Sequence, residues 1–319
     1  MKKFPPILFF ILATSFIACT AQDVNKLITE DYVKSVVTKL ASDDMRGRNA
    51  RTPQDAFKAA EFIESQFKEA GLGYFGDLTT YRQSFNSRGI DMANVVGMIK
   101  GRSKADEFVV FSAHYDHVGI QKQAVACDSI ANGADDDASG TTAVIALAKY
   151  FKALNNNERT LIFVTFTAEE IGGFGSKYFT EHIDPAKVVA MFNIEMIGKH
   201  SKWGTGSAFI TGFERSDFGK ILQKNVKGTD FKFEPDPYPE QDLFYRSDNA
   251  RLAMVGVPAH SLSTDMIDTD PFYHTVADEV ETLDTKNMTE VIKGIAAGSS
   301  SIVSGKDTPT RIPPLEKGK

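Results

Sequence analysis

The sequence predicts an α/β fold of a single domain, with a mixed, largely parallel central β-sheet flanked by helices. Three observations predict it. Stretches of helical periodicity alternate with short apolar runs along the chain. The runs "LIFVTFT" and "VVAMFNI" are almost continuously apolar, as strands covered on both faces are. The chain is 319 residues long and 42% hydrophobic, enough to bury one large core. It contains no internal repeat, and no linker interrupts its middle.

The elements follow in order. Residues 1–18 read as a signal segment outside the fold: "MKK" is basic, and "ILFFILATSFIA" is too short to span a bilayer well. It ends in "SFIAC", which resembles a bacterial lipobox with Phe16 in the usual place of leucine. Cys19 would then be the lipidation site, an anchor that does not cross the membrane. Residues 19–28 read as a linker, 29–304 as the folded domain and 305–319 as a flexible tail, because the chain turns polar and Pro-rich from Ser299 onward. "ITEDYVKSVVTKLAS" has helical spacing with Thr29 as cap; in "TPQDAFKAAEFIESQFKEAGLG", Thr52 caps, Pro53 opens and Gly71 closes a second helix. "YRQSF", "NVVGMIKG" and "EFVVFSAHYD" read as strands, and "SGTTAVIALAKYFKAL" as a helix. "TLIFVTFTAEE" and "VVAMFNIEMIG" read as buried strands around the short helix "GSKYFTEHI", and residues 228–247 as a loop.

Net charge is −6 with no long basic run, which argues against a phosphate-neutralising nucleic-acid surface. Besides Cys19 the chain has only Cys127, so no internal disulfide staples the mature fold. Cys127 lies in the loop-like "AVACDSIANG" and reads as a small semi-buried residue rather than a nucleophile.

Acids and imidazoles gather where strands end. His114 and Asp116 follow one apolar run, Glu169 and Glu170 a second, and Glu195 a third, while Asp135, Asp136 and Asp137 precede a helix. Open α/β sheets bind ligands beyond the carboxyl ends of their strands, and adjacent buried carboxylates invite a cation. Three aspartates could equally form a solvated turn and cap. Of the six histidines, His114 in H-x-D and His274 in "DPFYHTVADE" suit metal ligation. His117 reads as lining the loop, His182 as a helix-end cation, His200 as a loop residue and His260 as a satisfied core histidine.

The ordered blocks "SAHYDHVG", "GADDDASG", "TAEEIGGFGS", "NIEMIG", "RSDN" and "DPFYHTVAD" resemble the M28 family of zinc-dependent aminopeptidases, a likeness running from about residue 30 to about 295. The resemblance implies two zinc ions per chain, with His114, Asp136, Glu170, Glu195 and His274 as metal ligands. Asp136 is the bridging carboxylate, and the peptide bond after it is cis. Glu195 stands where an aspartate is usual. Glu169 is the implied general base, Tyr273 matches a tyrosine that polarises the carbonyl, and Asp116 holds the tautomer of His114. Asn249 replaces a common histidine, and Arg246 beside it is a candidate brace. Two metals and a base can hydrolyse a peptide bond, so the reading is an aminopeptidase acting on peptides with a free N-terminus. The alternatives are a glutaminyl cyclase, an acyltransferase on a related scaffold with one metal, or an inactive binding protein. Export as a periplasmic or cell-envelope lipoprotein completes the expectation, with membrane contact only through Cys19.

Overall fold

The computed structural model describes residues 21–313, with side chains from residue 24 onward. Cys19 and the signal segment lie outside the described residues.

Among the described residues, nine strands form the main sheet. They are β1 (Gly73–Tyr74), β2 (Arg82–Ser87), β3 (Ile90–Ile99), β4 (Lys104–His114), β7 (Arg159–Phe166), β8 (Val188–Ile194), β9 (Ser207–Ile210), β10 (Lys232–Pro235) and β11 (Ala259–Ser263), while β5 (Gly119–Val125) and β6 (Asp128–Ala131) pair separately as a hairpin. The order across the sheet is β1-β3-β7-β4-β8-β11-β9-β10, with β2 on β3. Strands β7, β4, β8 and β11 are mutually parallel, whereas β3 joins β7 and β9 joins β11 antiparallel. The expected mixed, largely parallel sheet is therefore present. Its four parallel strands end on one edge, so residues just after them meet there.

Side-chain alternation divides the core. Val109, Phe111, Leu161, Phe163 and Phe192 face one layer, built on α2 (Glu30–Leu40), α3 (Pro53–Ala70), α4 (Gly140–Leu154), α6 (Phe218–Asn225) and α8 (Thr285–Gly298). Val110, Ile162, Val164 and Met191 face the other, where Phe179 of α5 (Phe174–Glu181) and Leu252 of α7 (Asn249–Met254) pack. Period-two alternation on strands buried on both faces is why "LIFVTFT" carries apolar residues on both of its faces.

Thr29 caps α2 by accepting from the Tyr32 N–H, and Gly71 ends α3 in the left-handed conformation. Thr52 gives α3 no side-chain cap; Pro53 at its start has no N–H to satisfy.

Four readings are corrected. Residues 21–27, taken as linker, form the helix α1 (Ala21–Leu27), and Val24 and Leu27 pack on the core. Residues 305–313, taken as flexible, follow α9 (Ser300–Val303) as a docked strap. Arg159 Nη1 donates to the Asp307 carbonyl at 2.7 Å, Arg311 to the Val188 carbonyl at 2.7 Å, and Ile312 is buried. The loop-like segment around Cys127 is the β5–β6 hairpin, and Cys127 is exposed at its turn rather than semi-buried. The 228–247 loop contains β10, a strand too short to declare itself by periodicity.

Candidate metal centre

The donors converge at the carboxyl edge of the sheet. His114 is the last residue of β4, Glu169 and Glu170 follow β7, and Glu195 follows β8. Asp136 belongs to the segment Ala134–Ser139 that leads into α4, and His274 to the loop between β11 and α8. The Asp136–Asp137 peptide bond is cis. Ala168, Met196 and His274 each adopt positive φ without being glycine. Such strained positions concentrate where a backbone must aim particular side chains.

Two clusters share Asp136. In one, His114 Nε2 lies 3.3 Å from Asp136 Oδ1 and 3.1 Å from Glu195 Oε1. In the other, His274 Nε2 lies 3.0 Å from Asp136 Oδ2 and 3.1 Å from Glu170 Oε2. His117, read from sequence as loop lining, enters this second cluster: its Nδ1 is 3.0 Å from Glu170 Oε1. Its proximity to H-x-D was the available signal. Tyr273 stacks on His274, and both line the pocket with Glu169 and Arg246. Glu195 reaches the site despite its extra methylene, with Oε2 accepting from Ser247 Oγ.

Asp136 can serve two clusters because its neighbours do other work. Asp137 accepts from the N–H groups of His114, Gly140 and Met196 at 3.2, 3.0 and 3.1 Å, so it ties together three segments that carry the candidate ligands. Asp135 accepts from the Gly198 N–H at 2.7 Å, and its other oxygen faces Lys199 Nζ at 3.6 Å. Lys199 also pairs with Asp270, so this acidic group contains its own cation. Gly133 is required beside it: its φ is positive, and a Cβ there would come within 2.4 Å of His117 Cγ.

Sequence reasoning gave no role to two further supports. Arg48, fully buried, donates to the carbonyls of Tyr115 and Gly133 at 2.7 and 2.8 Å, and also to those of Leu40 and Asn132. Asp278 accepts from the N–H groups of Asp135 and Asp136 at 3.0 and 3.1 Å. The expected tautomer partner is corrected in detail. His114 Nδ1 meets the backbone carbonyl of Asp116 at 3.0 Å, whereas the Asp116 carboxylate is 3.8 Å away and accepts from the Glu169 N–H. Asn249 is buried away from the pocket, donating to the Phe244 carbonyl and accepting from Ser261 Oγ. Arg246 lines the pocket at its rim, near Asp268. His260 is a satisfied core histidine, with Nδ1 against the Thr211 carbonyl and Nε2 against Ser216 Oγ.

The charges are strongly coupled. Burial pushes the Glu169 carboxyl well above the usual carboxylate range. Burial opposes charge on His274, yet Asp136 and Glu170 raise it to about 10. Burial likewise opposes ionised Asp136, but His114 and His274 hold it well below its ordinary value. Imidazolium–carboxylate pairs of this kind are what a divalent cation replaces, since ligating imidazoles must give up their protons. The donor set fits zinc, with nitrogen and oxygen atoms only, and buried Asp136 Oδ2 and Glu170 Oε1 lack hydrogen-bond partners.

An open α/β sheet with such a donor set at its strand ends defines the class of a metal-centre enzyme fold. Residues 94–298 match the model of peptidase family M28, and the chain belongs to that family. Aminopeptidase YwaD of Bacillus subtilis (strain 168) is 22% identical over 245 residues, which are 71% of this chain and 48% of that protein. The chain spans about half the length of the curated relatives it matches. The crystal structure of BSAP, a zinc aminopeptidase from Bacillus subtilis, superposes with a TM-score of 0.67 at 14% identity, covering 88% of this chain and 97% of that one. Porphyromonas gingivalis glutaminyl cyclase does so with the same TM-score of 0.67 at 14% identity, covering 87% and 99%. These likenesses establish a shared fold.

Proposed function

We propose that the chain is a zinc-dependent aminopeptidase that hydrolyses the first peptide bond of peptides with a free N-terminus. The observation that carries this reading is the pair of imidazole–carboxylate clusters sharing Asp136 beside Glu169. His114, Asp136 and Glu195 would hold one zinc, and Asp136, Glu170 and His274 the other. When bound, two zinc ions supply Lewis acidity and make water more acidic. Glu169 takes a proton from the attacking water and returns it to the leaving amine. Burial, which raises its proton affinity, suits it to that exchange. The Tyr273 hydroxyl donates toward the carbonyl oxygen of the scissile bond. The acidic rim attracts the substrate ammonium, while Phe209, Leu243 and Ile267 line the pocket with apolar surface for a side chain.

The shared fold with a glutaminyl cyclase keeps that activity as the second reading; two clusters of donors rather than one favour the peptidase. Residues 1–18 and Cys19 fit export as a cell-envelope lipoprotein, which mass spectrometry of the mature N-terminus would test. For activity the deciding experiment compares free and N-acetylated aminoacyl substrates alongside an N-terminal Gln peptide, with metal content measured on the same sample. Cleavage of the free form only, with two zinc ions per chain, is the expected result. Equal turnover of blocked peptides, or cyclisation without hydrolysis, would overturn it.

A further inference from the structure

The two clusters are unequal, and His117 makes them so. Its ring is buried, and neither nitrogen has a hydrogen-bond partner. His260 shows what a satisfied core histidine looks like in this fold, with a partner on each nitrogen. His117 Nδ1 instead points among acceptors: it lies 3.0 Å from Glu170 Oε1 and 3.6 Å from Asp136 Oδ2, out of hydrogen-bond alignment. His274 Nε2 lies 3.0 Å from the same Asp136 Oδ2 and 3.1 Å from the other Glu170 oxygen, Oε2. Donors about 2.0–2.1 Å from the centre of a tetrahedron stand about 3.3 Å apart. His117 Nδ1 and one oxygen each of Asp136 and Glu170 lie within 4.8 Å of one another, close enough to share one ion, and His274 Nε2 lies 3.0 and 3.1 Å from the same two carboxylates.

We propose that His117 is a further zinc ligand through Nδ1, completing a four-donor site with Asp136, Glu170 and His274. This rests on the reading of the cluster as a zinc centre. The site with His114, Asp136 and Glu195 would offer three protein donors. With His117 the Asp136–Glu170–His274 site would offer one donor more, so its ion should be held the more tightly of the two. Gly133 supports the assignment, because any side chain there would displace the His117 ring.

Cobalt(II) and zinc binding to the whole mature protein tests this without any activity measurement. The wild type is expected to take up two ions, one held more tightly in chelator competition. His117→Ala is expected to weaken the tighter ion by at least about 10-fold, the lower bound seen even for residues that merely support a ligand. His117→Cys, whose sulfur reaches nearly as far as Nδ1, is expected to give a thiolate-to-cobalt charge-transfer band that the wild type lacks. That variant keeps the test decisive if His117→Ala fails to fold. Two ions with wild-type affinities in His117→Ala, or no such band in His117→Cys, overturn the role of His117 while leaving the zinc centre standing. A wild type that takes up no cobalt or zinc overturns the metal reading itself, and His117 with it.

Discussion

Glu169 and Glu170 are adjacent in sequence and opposite in circumstance. Both line the pocket, but Glu170 lies between His117 and His274, which hold its proton affinity down against burial, whereas burial raises that of Glu169. Glu169→Gln should keep the metal content of the protein and lower kcat by about 10²–10⁴-fold, a loss measured with a free-amine substrate at saturation. His260 permits a prediction free of the metal centre. Burial first, aided by Arg215, lowers its pKa to about 4, against an ordinary value of 6.5. Between those values the unfolded chain binds a proton that the native state refuses, so this residue's contribution to stability rises with pH and is lost as pH falls from about 6.5 to 4. The shift corresponds to about 3 kcal/mol. Denaturant melts of wild type and His260→Gln should therefore converge by about that amount between pH 7 and pH 4. At this scale H-x-D and the acidic pairs were legible because metal ligation demands particular side chains at strand ends. His117 was not, since one turn of chain separates a lining residue from a donor.

At the scale of elements, the segment from Gly133 to Gly140 is positioned by acceptors and donors from distant parts of the chain. Asp137 receives N–H groups from the ends of β4 and β8 and from the start of α4. Arg48 gathers carbonyls from α2, from the stretch after β4 and from the turn at Asn132 and Gly133. Asp137→Ala should strand three buried N–H groups and lower the unfolding free energy by at least about 3 kcal/mol, read from urea melts of the chelator-treated protein. Zinc affinity should fall with it, because the same bonds hold the segments of His114 and Glu195. The triple aspartate was visible in the sequence as an anomaly, and the family resemblance singled out Asp136 as the bridging one. The partners of Asp135 and Asp137 were not legible, because three identical side chains differ here only in what each one meets.

On the scale of the whole molecule, the chain closes on itself. Residues 305–313 dock on the fold, with Ile312 in the core cluster that holds Val188 and Met191, and Arg159 donating to the carbonyls of Ile302 and Asp307. Removing residues 306–319 would expose that apolar surface and leave part of a buried guanidinium unpaired. The truncated chain should lose about 2–5 kcal/mol in urea melts, comparable to deleting a large core side chain. A change within about 0.5 kcal/mol would show the strap to be dispensable. Polar and Pro-rich composition hid this role, because the strap is held by backbone carbonyls and one isoleucine rather than by periodic apolar residues.

By itself the sequence determined the layered α/β architecture and the edge at which the site lies. Apolar periodicity is local, and parallel strands buried on both faces must send their ends to one rim. It also determined which residue types reach that rim: His114, Asp136, Glu169, Glu170, Glu195 and His274 all announce themselves next to strands, helix starts or aromatic loops. Only the tertiary structure decided which partners Asp135 and Asp137 meet, that the Asp116 carbonyl rather than its carboxylate faces His114, that Arg48 and Asp278 hold the loop, and that His117 turns inward. Those outcomes depend on contacts between segments dozens of residues apart, and a one-dimensional pattern carries no record of the distances between them.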